Sequence, residues 1–254
     1  MPRFAANISF LFTELPFKKR FQAAADAGFK GVEFLFPYDE PAQELADLAQ
    51  SASVEVVLFN IWPGEWAEGD RGLAGVPDKS DEFFKRLDQA LQYADALGCS
   101  QLHAMAGLNT KGANEPMLIE NLKIAADKAA DYGVTLLTEP INTRDMPGYL
   151  VTQTAQARRI IEDVGKPNVR LQFDLYHRHI EEGSVAEAIA EFNDITNHIQ
   201  IASPPDRGEP GEGELDFQDL VARIDATGYS GWIGCEYRPR GETVAGLNWL
   251  KLFA

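Results

Sequence analysis

The chain has 254 residues, 45% of them apolar, with a formal net charge of −16 and an isoelectric point near 4.6. Charge of that sign and size repels nucleic acid and anionic membrane surfaces and excludes both as partners. Two cysteines, Cys99 and Cys235, are too few for a disulfide framework or a cysteine-rich zinc site. The first residues lack a basic segment followed by an apolar run, and no stretch approaches about 18 uninterrupted apolar residues. The expectation is a cytoplasmic protein.

In chain order, short apolar runs rich in β-formers alternate with longer segments of helical periodicity. The predicted strands cover 4–10, 31–36, 54–62, 100–107, 134–142, 169–177, 198–204 and 232–239. Between them lie helical stretches such as FKKRFQAAADAG, DEFFKRLDQALQYADALG, MLIENLKIAADKAADYG and FQDLVARIDATG. Each ends at a glycine, where a left-handed cap is wanted. Several strand runs are apolar on both faces, as in a parallel strand covered by helices outside and by a barrel lumen inside. Eight such units in this length predict an α/β fold, a single (β/α)8 TIM barrel occupying 1–254 as one domain. Neither GxGxxG nor GxxxxGK[ST] follows the first strand, which argues against a nucleotide fold. One connection, GEWAEGDRGLAGVPDKSD after the third strand, is long enough to be a lid or binding loop, although an ornament would read the same.

Barrel enzymes carry their chemistry at the C-terminal ends of the strands. Glu139 closes the fifth predicted strand, Asp174 lies in the sixth, Gln200 in the seventh and Glu236 in the eighth, at intervals of 35, 26 and 36 residues. Each interval is about one βα unit, so four oxygen-bearing side chains from adjacent strands converge at one end of the barrel. Three carboxylates at one point repel each other and lose hydration unless protons or a cation compensate them. The all-oxygen set of Glu139, Asp174, Gln200 and Glu236 suits a divalent metal, Mg²⁺ or Mn²⁺, better than zinc. For any one of these residues alone, a loop-facing charge or a barrel salt bridge is the commoner reading. Four in register carry the metal expectation.

The segments MPRFAANISFLFTELPF, GVEFLFPY, LTEPIN, FDLYH, HIQIASPPDRGEPGEGELDF and GWIGCEYRPRG resemble the hydroxypyruvate isomerase family, within the xylose isomerase-like barrel superfamily. The resemblance runs from the first residues to the last. It implies a metal-dependent aldose-ketose isomerisation of a small sugar acid, hydroxypyruvate to tartronate semialdehyde, by way of an enediolate. It further implies that Glu139 and Glu236 are paired acid/base residues, that these two with Asp174 and Gln200 hold the metal, and that His177 and Arg207 contact the substrate. It leaves room for a homo-oligomer.

Other polar residues have ordinary readings. His103 on an apolar strand reads as a core residue, and His198 as a layer below Gln200. Asn7 and Glu33 read either as pocket residues or as buried hydrogen-bonding groups. Arg178, His179, Arg238 and Arg240 form a positive rim. Competing functions are 2-oxo-tetronate isomerisation or ketose 3-epimerisation, a metal-dependent apurinic endonuclease, and a noncatalytic sugar-acid binding barrel. Four histidines and the acidic charge argue against the nuclease.

Overall fold

The computed structural model describes residues 2–211 and 213–253. In chain order the elements are β1 (Arg3–Asn7), α1 (Phe17–Asp26), β2 (Gly31–Phe34), α2 (Ala42–Ala52), β3 (Glu55–Asn60), α3 (Ser80–Leu97), β4 (Gln101–His103) and α4 (Glu115–Ala130). The second half adds β5 (Thr135–Thr138), α5 (Thr154–Val164), β6 (Val169–Asp174), α6 (Leu175–Glu181), α7 (Val185–Phe192), β7 (Thr196–Ile201), α8 (Phe217–Ala226) and β8 (Trp232–Cys235). The strands pair in parallel in sequence order, and β1 closes on β8 through Ala5 opposite Gly234 and Ala6 opposite Cys235. This is the expected (β/α)8 barrel. No helix among the described residues is long and apolar enough to cross a membrane.

All eight predicted strands are present, and most are shorter than their apolar runs. β5 stops at Thr138 and β8 at Cys235, so Glu139 and Glu236 sit one residue past their strands instead of within them. The run predicted as strand to His177 turns helical at Leu175. The reason is Asp174, whose Oδ1 accepts the backbone N–H groups of Tyr176 at 2.7 Å and His177 at 3.3 Å and so caps α6. Asn114 and Asp216 cap α4 and α8 in the same way. At the far end of α3, Gly98 takes a φ of 64°, a left-handed turn that costs a glycine little.

Two apolar cores follow from strand alternation. Outward-facing residues such as Leu136, Leu171 and Phe173 pack with the helices in a large sheath, whereas Ala5, Val57, Leu58, Leu137 and Trp232 form a separate small plug in the lumen. Two residues further along β1, β5 and β8, the plug residues Ala5, Leu137 and Trp232 give way to Asn7, Glu139 and Gly234. The lumen is therefore apolar below and polar above. The strand register shifts between Val32 and Glu33 and between Leu171 and Gln172, where β3 and β7 each carry one extra residue, Val57 and Asn197, opposite the break.

Candidate active site

A cavity of about 190 Å³ opens at the C-terminal end of the barrel, with Glu139, His177, Arg207 and Glu236 in its wall. That is smaller than the roughly 300–1,000 Å³ of a typical drug-sized ligand site and suits a small molecule. Asp174 and Gln200 lie at the same end, each almost fully buried. The intervals read from the sequence therefore bring all four strand-end residues together. Gln200 Nε2 donates to Glu236 Oε2 at 2.6 Å, and Arg207 Nη2 joins Glu236 Oε1 to Asp174 Oδ2, the latter at 3.7 Å.

Glu139, Asp174 and His177 each present a ligand atom within 4.8 Å of the others, a cluster able to hold a metal ion. Its chemistry favours a cation. Glu139 Oε1 and Asp174 Oδ2 are buried and accept no hydrogen bond, an arrangement that an anionic oxygen away from water tolerates poorly. Burial raises the proton affinity of Glu139 well above the usual carboxylate range, reinforced by the charges of Glu236 and Asp174. Asp174 is raised by burial too, against the pull of Arg207 and of the two α6 N–H groups. Glu236 is pushed up to about 8 by burial, with Arg207 opposing.

His177 has a defined tautomer. Asn142 Oδ1 accepts the N–H of Asp145 at 2.8 Å, which turns its amide nitrogen onto His177 Nδ1 at 2.6 Å, and the Asn142 N–H points there as well. Nδ1 is therefore an acceptor and Nε2 carries the proton, 3.7 Å from Asp174 Oδ2. Burial, with the charge of Arg207, holds the ring neutral. A neutral Nε2–H donor serves a substrate oxygen better than it serves a metal.

Gln200 is fixed by its neighbours. Its amide nitrogen donates to Glu33 Oε1 at 2.7 Å as well as to Glu236, and its Oε1 accepts Gln172 Nε2 at 2.7 Å. The reverse orientation would set its oxygen against two carboxylates. Asn7 Nδ2 also bridges Glu33 and Glu236, at 3.0 and 2.9 Å, and His198 Nε2 meets Glu33 Oε2 at 2.6 Å. Of the two readings open for Asn7 and Glu33, the structure has the buried hydrogen-bonding one, with His198 in the layer below Gln200. Room for the Glu33 carboxylate comes from Gly234, where any Cβ would collide with it.

Sequence reasoning passed over four residues here. His103 ends β4 inside the cavity, 3.6 Å from Glu139 Oε2, with Nε2 unpartnered and its basicity lowered to about 3 by burial. Its signal was the same strand-end position that identified the carboxylates. Gln172 lies two residues before Asp174 on the same strand face. Asn142 sits in a loop and gave no signal. Trp66 comes from the long loop after β3, which is part of the cavity wall rather than an ornament. It is 42% exposed, with Phe36 at 5.8 Å and Arg71 stacked 3.8 Å from its ring.

Residues 21–253 match a family described as the xylose isomerase-like TIM barrel. The chain belongs to that family. A 2-oxo-tetronate isomerase from Cupriavidus necator is 48% identical over 255 residues, covering 99% of this chain and 98% of its own. The hydroxypyruvate isomerase of Escherichia coli is 42% identical over 254 residues, covering 98% of each. A crystal structure from Brucella melitensis, described as an AP endonuclease of family 2, is 49% identical and superimposes with a TM-score of 0.96 over 99% of this chain and 98% of that one. Within the xylose isomerase-like family, this chain thus shares its whole length with proteins carrying both isomerase and nuclease names.

Proposed function

We propose that the protein is a metal-dependent aldose-ketose isomerase of a small oxo acid, converting hydroxypyruvate to tartronate semialdehyde. The observation that carries this reading is the pair Glu139 and Glu236 in the wall of one small cavity, from strands on either side of Asp174 and Gln200. The full-length relatives named as isomerases support it.

The reaction moves a carbonyl from C2 to C3. The C3–H bond breaks and its electrons form the C2–C3 double bond while O2 is protonated. O3–H then gives up its proton as the C3 carbonyl forms, and C2 takes a proton. Glu139 and Glu236 hold and return the migrating proton, with proton affinities raised by burial above the ordinary carboxylate range, a direction that suits general acid/base work. His177 donates through Nε2–H to a substrate oxygen, and Arg207 lines the same wall. The Phe10 and Tyr176 rings lie 5.1 and 5.2 Å from its guanidinium carbon, close enough for cation–π contact.

Glu139, Asp174, Gln200 and Glu236 would hold Mg²⁺ or Mn²⁺, the unpartnered oxygens of Glu139 and Asp174 being the readiest donors. Such an ion, when bound, supplies Lewis-acid stabilisation of negative charge developing on the substrate oxygens. A second reading, isomerisation of the longer 2-oxo-tetronate, is favoured by the 48% identical relative and uses the same residues. The nuclease reading has a net charge of −16 against it, since DNA binding rests on phosphate neutralisation.

The test is turnover of hydroxypyruvate and of 2-oxo-tetronate by chelator-treated protein, with Mg²⁺ or Mn²⁺ restored. Metal-dependent isomerisation with the higher kcat/KM on hydroxypyruvate supports the first reading, and a reversed ratio selects the second. No turnover of either, or turnover indifferent to EDTA, rejects both.

A further inference from the structure

The cavity wall contains two arginines, Arg207 and Arg238. They are not equivalent. The Arg207 guanidinium is engaged by Glu236 and Asp174, so its charge already balances the carboxylates of the site. The rest of the rim is compensated as well. Arg178 lies 2.7 Å from Glu182, His179 2.8 Å from Glu214, and Arg240 3.7 Å from Glu209.

Arg238 differs from all of these. It forms no ion pair with any described residue, it is exposed, and its side chain lines both the cavity and an adjoining concavity of about 380 Å³. It stands two residues beyond Glu236 in the chain. Its backbone N–H donates to the Arg207 carbonyl at 2.7 Å, and Arg207 takes a left-handed φ of 56°. This contact fixes the loop after β8 against the loop after β7, so the free guanidinium is presented at the mouth of a site whose interior is anionic. A substrate carboxylate entering a wall already carrying Glu139, Asp145 and Glu236 needs a cation that those groups have not neutralised. Arginine offers the planar fork that a carboxylate matches.

We infer that Arg238 receives the carboxylate of the substrate and is the residue that selects oxo acids over neutral ketoses of equal length. The inference rests on the isomerase reading and adds to it the group that determines substrate class.

The experiment uses the full chain with Mn²⁺ and compares wild type with Arg238→Met and Arg238→Lys. Two readouts are taken: kinetics on hydroxypyruvate and on neutral dihydroxyacetone, and calorimetric binding of tartronate, a hydroxy diacid that cannot isomerise. For Arg238→Met the expected result is a rise of about tenfold in KM for hydroxypyruvate, with a much smaller fall in kcat. Tartronate should weaken by a similar factor, dihydroxyacetone should be little affected, and Arg238→Lys should recover part of the loss. Changes under threefold in both KM and tartronate affinity overturn the inference, as does an equal loss on the acid and the neutral ketose. If the wild type turns over neither hydroxypyruvate nor 2-oxo-tetronate, the isomerase reading falls while the tartronate titration still decides whether Arg238 holds a carboxylate.

Discussion

The two halves of the barrel treat their polar residues differently. β5 to β8 deliver Glu139, Asp174, Gln200 and Glu236, of which Glu139 and Asp174 each keep a buried oxygen without a partner. β1 and β2 deliver Asn7 and Glu33, whose side chains are tied by close hydrogen bonds to Glu236, Gln200, His198, the Ser9 N–H and each other. One half holds incompletely satisfied groups ready for a ligand, and the other satisfies and orients them. On this division, substitutions in the first half should remove activity and spare stability. Those that disturb the second should lower stability first.

The largest effect is expected at the acid/base pair. Glu236→Gln and Glu139→Gln should each reduce kcat by about 10²- to 10⁴-fold on hydroxypyruvate while circular dichroism and melting temperature stay near wild type. A variant of either kind retaining more than a tenth of the wild-type turnover would break the comparison.

Gly234→Ala tests the supporting layer from the other side. The added methyl group meets the Glu33 carboxylate, which is held by Asn7, Gln200 and His198 and has nowhere to go. A loss of about 1–3 kcal/mol in urea unfolding is expected. Asn7→Ala should follow at about 1–2 kcal/mol, because it strips one donor from both Glu33 and Glu236. Unchanged urea midpoints in both variants would make the second half as dispensable to folding as a surface loop.

The smallest expected effect is electrostatic. Glu236, with its proton affinity raised from 4.5 to about 8, and Glu139, raised as well, bind protons more tightly in the folded chain than in the unfolded one. The contribution of Glu236 to stability is full below about pH 4.5 and is lost as pH rises through about 8, and that of Glu139 changes in the same direction. The melting temperature of metal-free protein should therefore decline over that window, less steeply in Glu236→Gln, and saturating Mn²⁺ should flatten the decline. Identical slopes for wild type and Glu236→Gln would contradict it.

What the sequence made legible follows from this division. Strand-end residues repeat at the length of a βα unit, so Glu139, Asp174, Gln200 and Glu236 could be aligned without coordinates. Partners joined across the lumen could not. Glu33 and His198 are 165 residues apart, and the contact of Arg207 with Glu236 depends on two loops meeting, which no periodicity encodes. The turn into α6 was hidden because LYH continues the apolar run, and only the capping geometry of Asp174 breaks it.

Trp66 has a practical consequence. Of the four tryptophans, Trp232 and Trp249 are nearly inaccessible to solvent and Trp62 is half-buried, leaving one exposed indole in the wall where a ligand must enter. The molecule carries its own optical probe, and a change in its emission would report occupancy without labels or turnover.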